Sequence, residues 1–266
     1  MKRFAILLAI CAVLSGCGTA KSLVILHVND THSHLDPTHE GRGGVIERAA
    51  FVDSVRASAG EKNVLLLHAG DFDQGTSYFT VLGGDLEVQL INDLGYDCIT
   101  LGNHEFDNGI EDLARRLAKV NCPVVCANFD FSPFELRDYV KPYTVVRKAG
   151  RKIGIIGLLC DIKTCVSKVT ADRIPYLGDE AELATSLAAK LRTELGCDYV
   201  IVLSHMGFRE DLSFAAQTKG IDVVIGGHSH TFIDEPSMVT DLDGKSVPVV
   251  QAGSWGKDFG VIEVTF

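Results

Sequence analysis

The sequence has 266 residues, 46% of them hydrophobic and 23% charged, the balance of a soluble globular chain with material for one large domain. Its formal net charge is −10 and no basic stripe interrupts it, which excludes a nucleic-acid polymer held through a positive surface. Eight cysteines occur without a CxxC pair, which argues against a structural zinc site.

The chain opens on a positive lead, Met1–Arg3, and an apolar run, Phe4–Leu14, too short to span a bilayer as a stable anchor. The stretch "LSGC" at Leu14–Cys17 resembles a bacterial lipobox. That resemblance implies a signal peptide over 1–16, lipidation of Cys17, a tether over 17–21 and attachment to a membrane through the lipid alone. Gly18 after the cysteine favours the outer membrane, facing the periplasm. A plain secretory signal cut at small residues is the alternative, and it too exports the protein.

From residue 22 onward no repeat, low-complexity segment or linker breaks the chain. Apolar, β-branched runs predict strands at Leu23–Val28, Val64–Leu67, Cys98–Leu101, Pro123–Ala127, Tyr143–Arg147, Lys152–Leu159, Asp198–Leu203, Val223–Ile225, Val247–Gln251 and Val261–Thr265. Helix-like spacing falls between them at Val45–Ser58, Leu86–Leu94, Ile110–Val120, Glu180–Leu195 and Leu212–Thr218. The alternation predicts an α/β domain over 22–266. Short glycine-containing connections predict hairpins between Tyr143–Arg147 and Lys152–Leu159, and between Val247–Gln251 and Val261–Thr265, so the sheets are mixed. Cys122 and Cys126 flank an extended "CPVVC" and would lie roughly 13 Å apart on a strand, beyond disulfide reach.

The functional signal lies where the strands end. "VILHVNDTHSH" carries Asp30, His32 and His34; "VLLLHAGDFDQG" carries Asp71 and Asp73; "CITLGNHEFDNG" carries Asn103, His104 and Asp107. "VIVLSHMG" ends on His205, and "VVIGGHSH" on His228 and His230. Each ending alone is weak: a lone Asp-x-His is commonly a capped turn, and "GGHSH" a glycine turn with solvated histidines. Ligands of α/β sheets bind outside the carboxyl ends of strands, so five such endings point to one convergent site. Imidazole, carboxylate and amide oxygen without thiolate suit divalent ions such as zinc, manganese or iron. Two Asp, one Asn and four His exceed the needs of one ion, and a two-metal site with a bridging carboxylate uses them all. Two ions about 4 Å apart activate a hydroxide between them and clamp an in-line phosphoryl displacement.

In order, "ND-T-H" at 29–32, "GD" at 70–71, "GNHEFD" at 102–107, "SHMG" at 204–207 and "GGHSH" at 226–230 resemble the calcineurin-like metallophosphoesterase superfamily. "GNHEFD" with "GGHSH" narrows the resemblance to the branch of 5′-nucleotidases, UDP-sugar hydrolases and 2′,3′-cyclic phosphodiesterases, over essentially all of 22–266. The resemblance implies a four-layer α/β/β/α sandwich. It also implies two divalent ions (zinc, manganese, iron, cobalt or calcium), one held by Asp30, His32, Asp71 and His230, the other by Asp71, Asn103, His205 and His228. His104 then matches the catalytic histidine and Asp107 the carboxylate that orients it. The implied substrate is a small phosphoester of nucleotide type.

Other polar residues read more plainly. His27 and His68 lie inside strands and read as hydrogen-bonded core histidines or as histidines that support the site. His34 and His39 read as solvated loop, Asp73 as support for the site and Glu105 as a helix-start carboxylate. Gly102 reads as the residue that lets the strand end turn. Many members of the branch carry a C-terminal domain that grips the nucleotide, and this sequence stops at a strand, "VIEVTF", that finishes the metallophosphatase domain. The expectation is therefore either low selectivity or a separately encoded C-terminal nucleotide-binding partner.

Overall fold

The computed structural model describes residues 22–266; the signal peptide, Cys17 and the tether expected at 1–21 lie outside the described residues. Strand β1 (Ser22–Val28) is buried at every position after Ser22, as a strand covered on both faces must be. It is followed by α1 (Val45–Ala59), β2 (Val64–His68), α2 (Ser77–Leu82), α3 (Asp85–Leu94), β3 (Cys98–Thr100), α4 (Ile110–Leu117), β4 (Val124–Val125), α5 (Leu136–Tyr139) and β5 (Val140–Lys141). The rest of the chain supplies β6 (Tyr143–Lys148), β7 (Arg151–Leu159), α6 (Lys168–Ala171), α7 (Glu180–Thr193), β8 (Tyr199–His205) and α8 (Phe208–Ala215). It closes on β9 (Val223–Ile225), β10 (Ser237–Thr240), β11 (Ser246–Val250) and β12 (Gly260–Thr265).

Two six-stranded sheets result, ordered β12-β1-β2-β3-β4-β5 and β10-β11-β9-β8-β7-β6. Both are mixed: β12 runs antiparallel to β1, and β6 and β10 are antiparallel edges of the second sheet. Three apolar layers stack through the molecule. Leu23, Ile25, Leu65 and Leu67 meet Ile153, Ile155, Ile201 and Leu203 between the sheets. Val24, Leu26 and Leu66 turn outward onto Val52, Ile91 and Leu113 of the helices. On the other side Ile156, Val200 and Val202 receive Ala184, Ala188, Leu191 and Phe214. Period-two alternation thus feeds two layers from each strand and gives the α/β/β/α sandwich.

One expected hairpin forms, β6 with β7. The other does not: β11 pairs with β10 in one sheet and β12 with β1 in the other, so the chain crosses between sheets after Val250. Strands β5 and β10 carry too few buried residues to give an apolar run, and the sequence pattern predicts neither. Helix α8 starts at Phe208, directly after Gly207 at φ 111°, four residues earlier than its apolar spacing implies. Helix α7 carries its stripe as expected, started by the Asp179 carboxylate, which accepts from the Ala181 and Glu182 amides. The six described cysteines, Cys122 and Cys126 among them, are free. No described helix is long and apolar enough to cross a membrane.

His27 is 2% exposed on β1, and its Nδ1 has no hydrogen-bond partner. Opposite it on β12 sits Gly260, where a Cβ would overlap the imidazole. Burial pushes the His27 pKa down to about 4, against 6.5 for the free side chain. The unfolded chain takes up this proton as pH falls below about 6.5, the folded one only near 4, so acidification through that window costs stability. Relative to His27→Leu, the wild type is expected to lose about 2 kcal/mol more between pH 7 and pH 5 in urea unfolding. Equal losses in the two proteins would contradict this.

Candidate metal centre

The carboxyl ends of β1, β2 and β3 in one sheet and of β8 and β9 in the other open toward the same place, and the loops after them carry the predicted polar residues. Five of these, Asp30, His32, Asp71, His228 and His230, have left-handed φ between 47° and 72°. Such a backbone costs an L-residue about 1 kcal/mol or more, and it concentrates where geometry serves a ligand. Backbone bonds hold the turns together: the Asp30 amide donates to the Gly70 carbonyl at 2.9 Å, that of His32 to Asp71 at 3.1 Å, and that of Trp255 to Asp30 at 2.7 Å.

The side chains converge. Asp30 Oδ1 lies 3.4 Å from His230 Nε2, 3.8 Å from His32 Nε2 and 3.9 Å from His205 Nε2. Asp71 Oδ2 lies 3.1 Å from His205 Nε2 and 3.8 Å from His32 Nε2. His228 Nδ1 reaches Asn103 Oδ1 at 2.8 Å. Three sets each bring their ligand atoms within 4.8 Å of one another: Asp30, His32 and His230; Asp71, His205 and His228; and His32, Asp71 and His104. All seven predicted ligands therefore gather in one cluster, with Asp71 central to it.

Two observations test whether divalent ions fit. His205 is fully buried with Nδ1 bound to the Ala69 carbonyl at 2.6 Å, while its Nε2 makes no hydrogen bond despite the neighbouring carboxylate. His32 Nε2 and His230 Nε2 approach to 3.0 Å, so two basic nitrogens share one point in space. A cation satisfies both features, and a set of N and O donors without sulfur suits a borderline or hard one.

The electrostatics agree. Burial works against ionisation of Asp71, but the imidazoles of His205, His32 and His104 outweigh it and hold the carboxyl well below its usual range. Burial likewise opposes charge on His205, and the Asp71 and Asp30 carboxylates overcome it, raising the pKa to about 10. The site draws positive charge to itself.

Beside the cluster, a one-turn helix over His104–Phe106 brings His104 Nδ1 within 2.8 Å of Asp107 Oδ2. That hydrogen bond outweighs desolvation and raises the His104 pKa to about 9. The ring is about a third exposed, so Nε2 remains available to a ligand. His104 is further tied to the cluster by its backbone N–H, which donates to Asp71 Oδ1 at 2.9 Å.

Several residues have roles the sequence did not announce. Glu105 stands in the one-turn helix as expected, but it is fully buried, and its carboxylate accepts the amides of Asp71, Phe72, Asp73 and Gly102 at 2.5–3.1 Å. It holds the β2 turn against the β3 turn. Gly102 is required by proximity rather than by turning, since a Cβ there would overlap Asp71 Oδ1 and sit 2.5 Å from the Asp71 nitrogen. Asp73 pairs with the fully buried Arg116, whose Nη2 also donates to the Glu105 carbonyl at 2.8 Å. Asn29 joins Asp30 Oδ2 at 2.6 Å to the Gly253 carbonyl at 2.7 Å. Gln251 links the Gly227 carbonyl at 2.6 Å to Thr231 and Ser229. His34 is half-buried rather than solvated, stacked on Trp255 with ring centroids 4.8 Å apart. His39 is exposed as expected; His27 and His68 are buried but not fully satisfied, since Nδ1 of each lacks a hydrogen-bond partner and only His68 Nε2 meets Thr31 Oγ1, at 3.0 Å.

The calcineurin-like phosphoesterase family model matches residues 23–232. The chain belongs to that family. A snake venom 5′-nucleotidase of Gloydius brevicauda is 38% identical over 284 residues, covering 96% of this chain and 47% of the venom protein. The crystal structure of a 5′-nucleotidase precursor from Thermus thermophilus superimposes with a TM-score of 0.84 and 38% identity, over 92% of this chain and 51% of that one. The NAD nucleotidase of Haemophilus influenzae gives 0.81 and 32%, over 92% and 47%. The calcineurin-like phosphoesterase chain thus spans about half the length of these relatives. Their remaining half lies on the same polypeptide, which gives no support to the expected separately encoded partner.

Proposed function

We propose that the chain is a divalent-metal-dependent phosphoester hydrolase acting on nucleotide-type substrates, in the manner of a 5′-nucleotidase. The observation that carries the reading is the meeting of five strand ends in one N/O cluster centred on Asp71, with a hydrogen-bonded His104–Asp107 pair at its edge. Asp30, His32, Asp71 and His230 would hold one ion; Asp71, Asn103, His205 and His228 would hold the other. When bound, the ions would supply Lewis acidity to the phosphoryl oxygens and lower the pKa of water.

The chain's own groups supply the rest. Asp107 fixes the His104 ring and keeps it protonated near neutral pH, so that Nε2 presents a proton to the leaving oxygen. Glu105 and Asn29 hold Asp71 and Asp30 in place through the backbone and carboxylate bonds described above, so donor positions change little during turnover. The N-terminal features belong to the same proposal: export, with lipid on Cys17, would place hydrolysis outside the cytoplasm.

The test is a phosphoester panel with Mn²⁺: 5′-AMP, UDP-glucose, 2′,3′-cyclic AMP and an aryl phosphate. Release of phosphate from 5′-AMP that stops on adding chelator supports the proposal. Tight metal binding with no hydrolysis of any member would make the chain a metal-dependent binding protein instead.

A further inference from the structure

The centre has a pair of thiols at its side that the proposed hydrolysis does not use. Cys160 follows β7 directly, and its amide donates to the His205 carbonyl at 3.1 Å. It is 7% exposed, and its Sγ is 3.8 Å from Asn103 Oδ1. A one-turn helix over Ile162–Thr164 carries the chain back on itself, closed by bonds from the Thr164 amide to Asp161 and from the Cys165 amide to Ile162. This turn sets Cys165 Sγ 3.6 Å from Cys160 Sγ. Cys165 is only half-buried, and its neighbours Asp161, Lys163 and Thr164 are exposed. Among the described cysteines, Cys98, Cys126 and Cys197 are buried.

We propose that Cys160 and Cys165 are a redox pair that closes to a disulfide against the Asn103 side of the metal centre. A disulfide bond of about 2.05 Å requires the sulfurs to approach by roughly 1.5 Å, within the reach of a side-chain adjustment in so short a loop. The oxidant is a low-molecular-weight disulfide. Cys165, as its thiolate, attacks one oxidant sulfur; the oxidant S–S bond breaks and one thiolate leaves. Cys160, as its thiolate, then displaces the second oxidant thiolate from Cys165. The Cys160–Cys165 bond forms, and the two protons lost by the cysteines end on the two departing thiols.

Closure has a consequence at Asn103, provided that Asn103 is a metal ligand as proposed above. The reduced Cys160 offers its S–H to Asn103 Oδ1, and the disulfide has no such proton. Loss of one weak donor is expected to tighten ion binding by about two- to fivefold.

The experiment treats the reduced full chain with oxidised glutathione, maps its peptides without reduction, and titrates Mn²⁺ into both forms against an indicator dye. The expected result is a mass loss of two hydrogens in the peptide bearing Cys160 and Cys165, reversed by dithiothreitol and absent in Cys165→Ser, with the other described cysteines unlinked. Glutathione retained on Cys165, linkage to another cysteine, or free thiols throughout would overturn the pair. Linkage with unchanged or weaker Mn²⁺ affinity would overturn the coupling to Asn103. Absence of Mn²⁺ binding in both forms would count against the metal centre and leave the mapped disulfide standing.

Discussion

The Asp71→Asn variant is expected to fold, to bind far less than its full complement of divalent ions, and to release phosphate no faster than chelated wild type. Asp71 sits 2% exposed between His32, His205 and the His104 amide, and it is the carboxylate common to two of the three ligand sets. Asparagine keeps the shape and can still accept from the His104 amide, so the turn survives. What it removes is the negative charge that would offset the two proposed cations in a buried place, where ionic interactions are least screened. Circular dichroism and thermal unfolding check the fold, elemental analysis the metal, and phosphate release the activity. Wild-type turnover in a correctly folded Asp71→Asn protein would show that Asp71 is not the carboxylate the reaction depends on.

The His104→Ala variant is expected to separate chemistry from metal binding. It should retain its ions and lose about 10²- to 10⁴-fold in kcat, the range for removing a positioned general acid. Asp107→Asn should lose less, about 10- to 100-fold, because Asp107 acts only by orienting and charging His104. The alternative is drawn by the same geometry. His104 also forms a set with His32 and Asp71, and a variant that loses an equivalent of metal would make it a ligand rather than an acid. Metal content measured alongside kcat decides between the two.

Much of this centre was legible because it repeats one local pattern. An apolar, β-branched run followed by Gly, Asp, Asn or His is visible without knowing the fold, and five repeats point to a common destination. The His104–Asp107 contact was implied by the family resemblance, and the one-turn helix makes it by bringing i and i+3 together. What escaped notice depends on contacts distant in sequence. Glu105 gathers amides from residues about thirty positions earlier, and nothing around it distinguishes that task from an ordinary helix start. Gly102 is small because Asp71 lies against it, which no turn signal reveals. Strand β12 looked like the hairpin partner of β11 because a run of Val and Ile marks a strand but not its sheet. Pairing is fixed by the edge left open beside β1, and β12 fills it with Gly260 accommodating His27.

The proposed function requires this cluster to hold two divalent ions and to use them in hydrolysing phosphoesters. The most direct measurement is metal content and phosphate release from 5′-AMP on the same purified sample, before and after dialysis against chelator and after restoring Mn²⁺. Close to two ions per chain are expected in the active sample, with ions and activity lost together and both recovered. Activity that persists undiminished in metal-free protein would contradict that requirement.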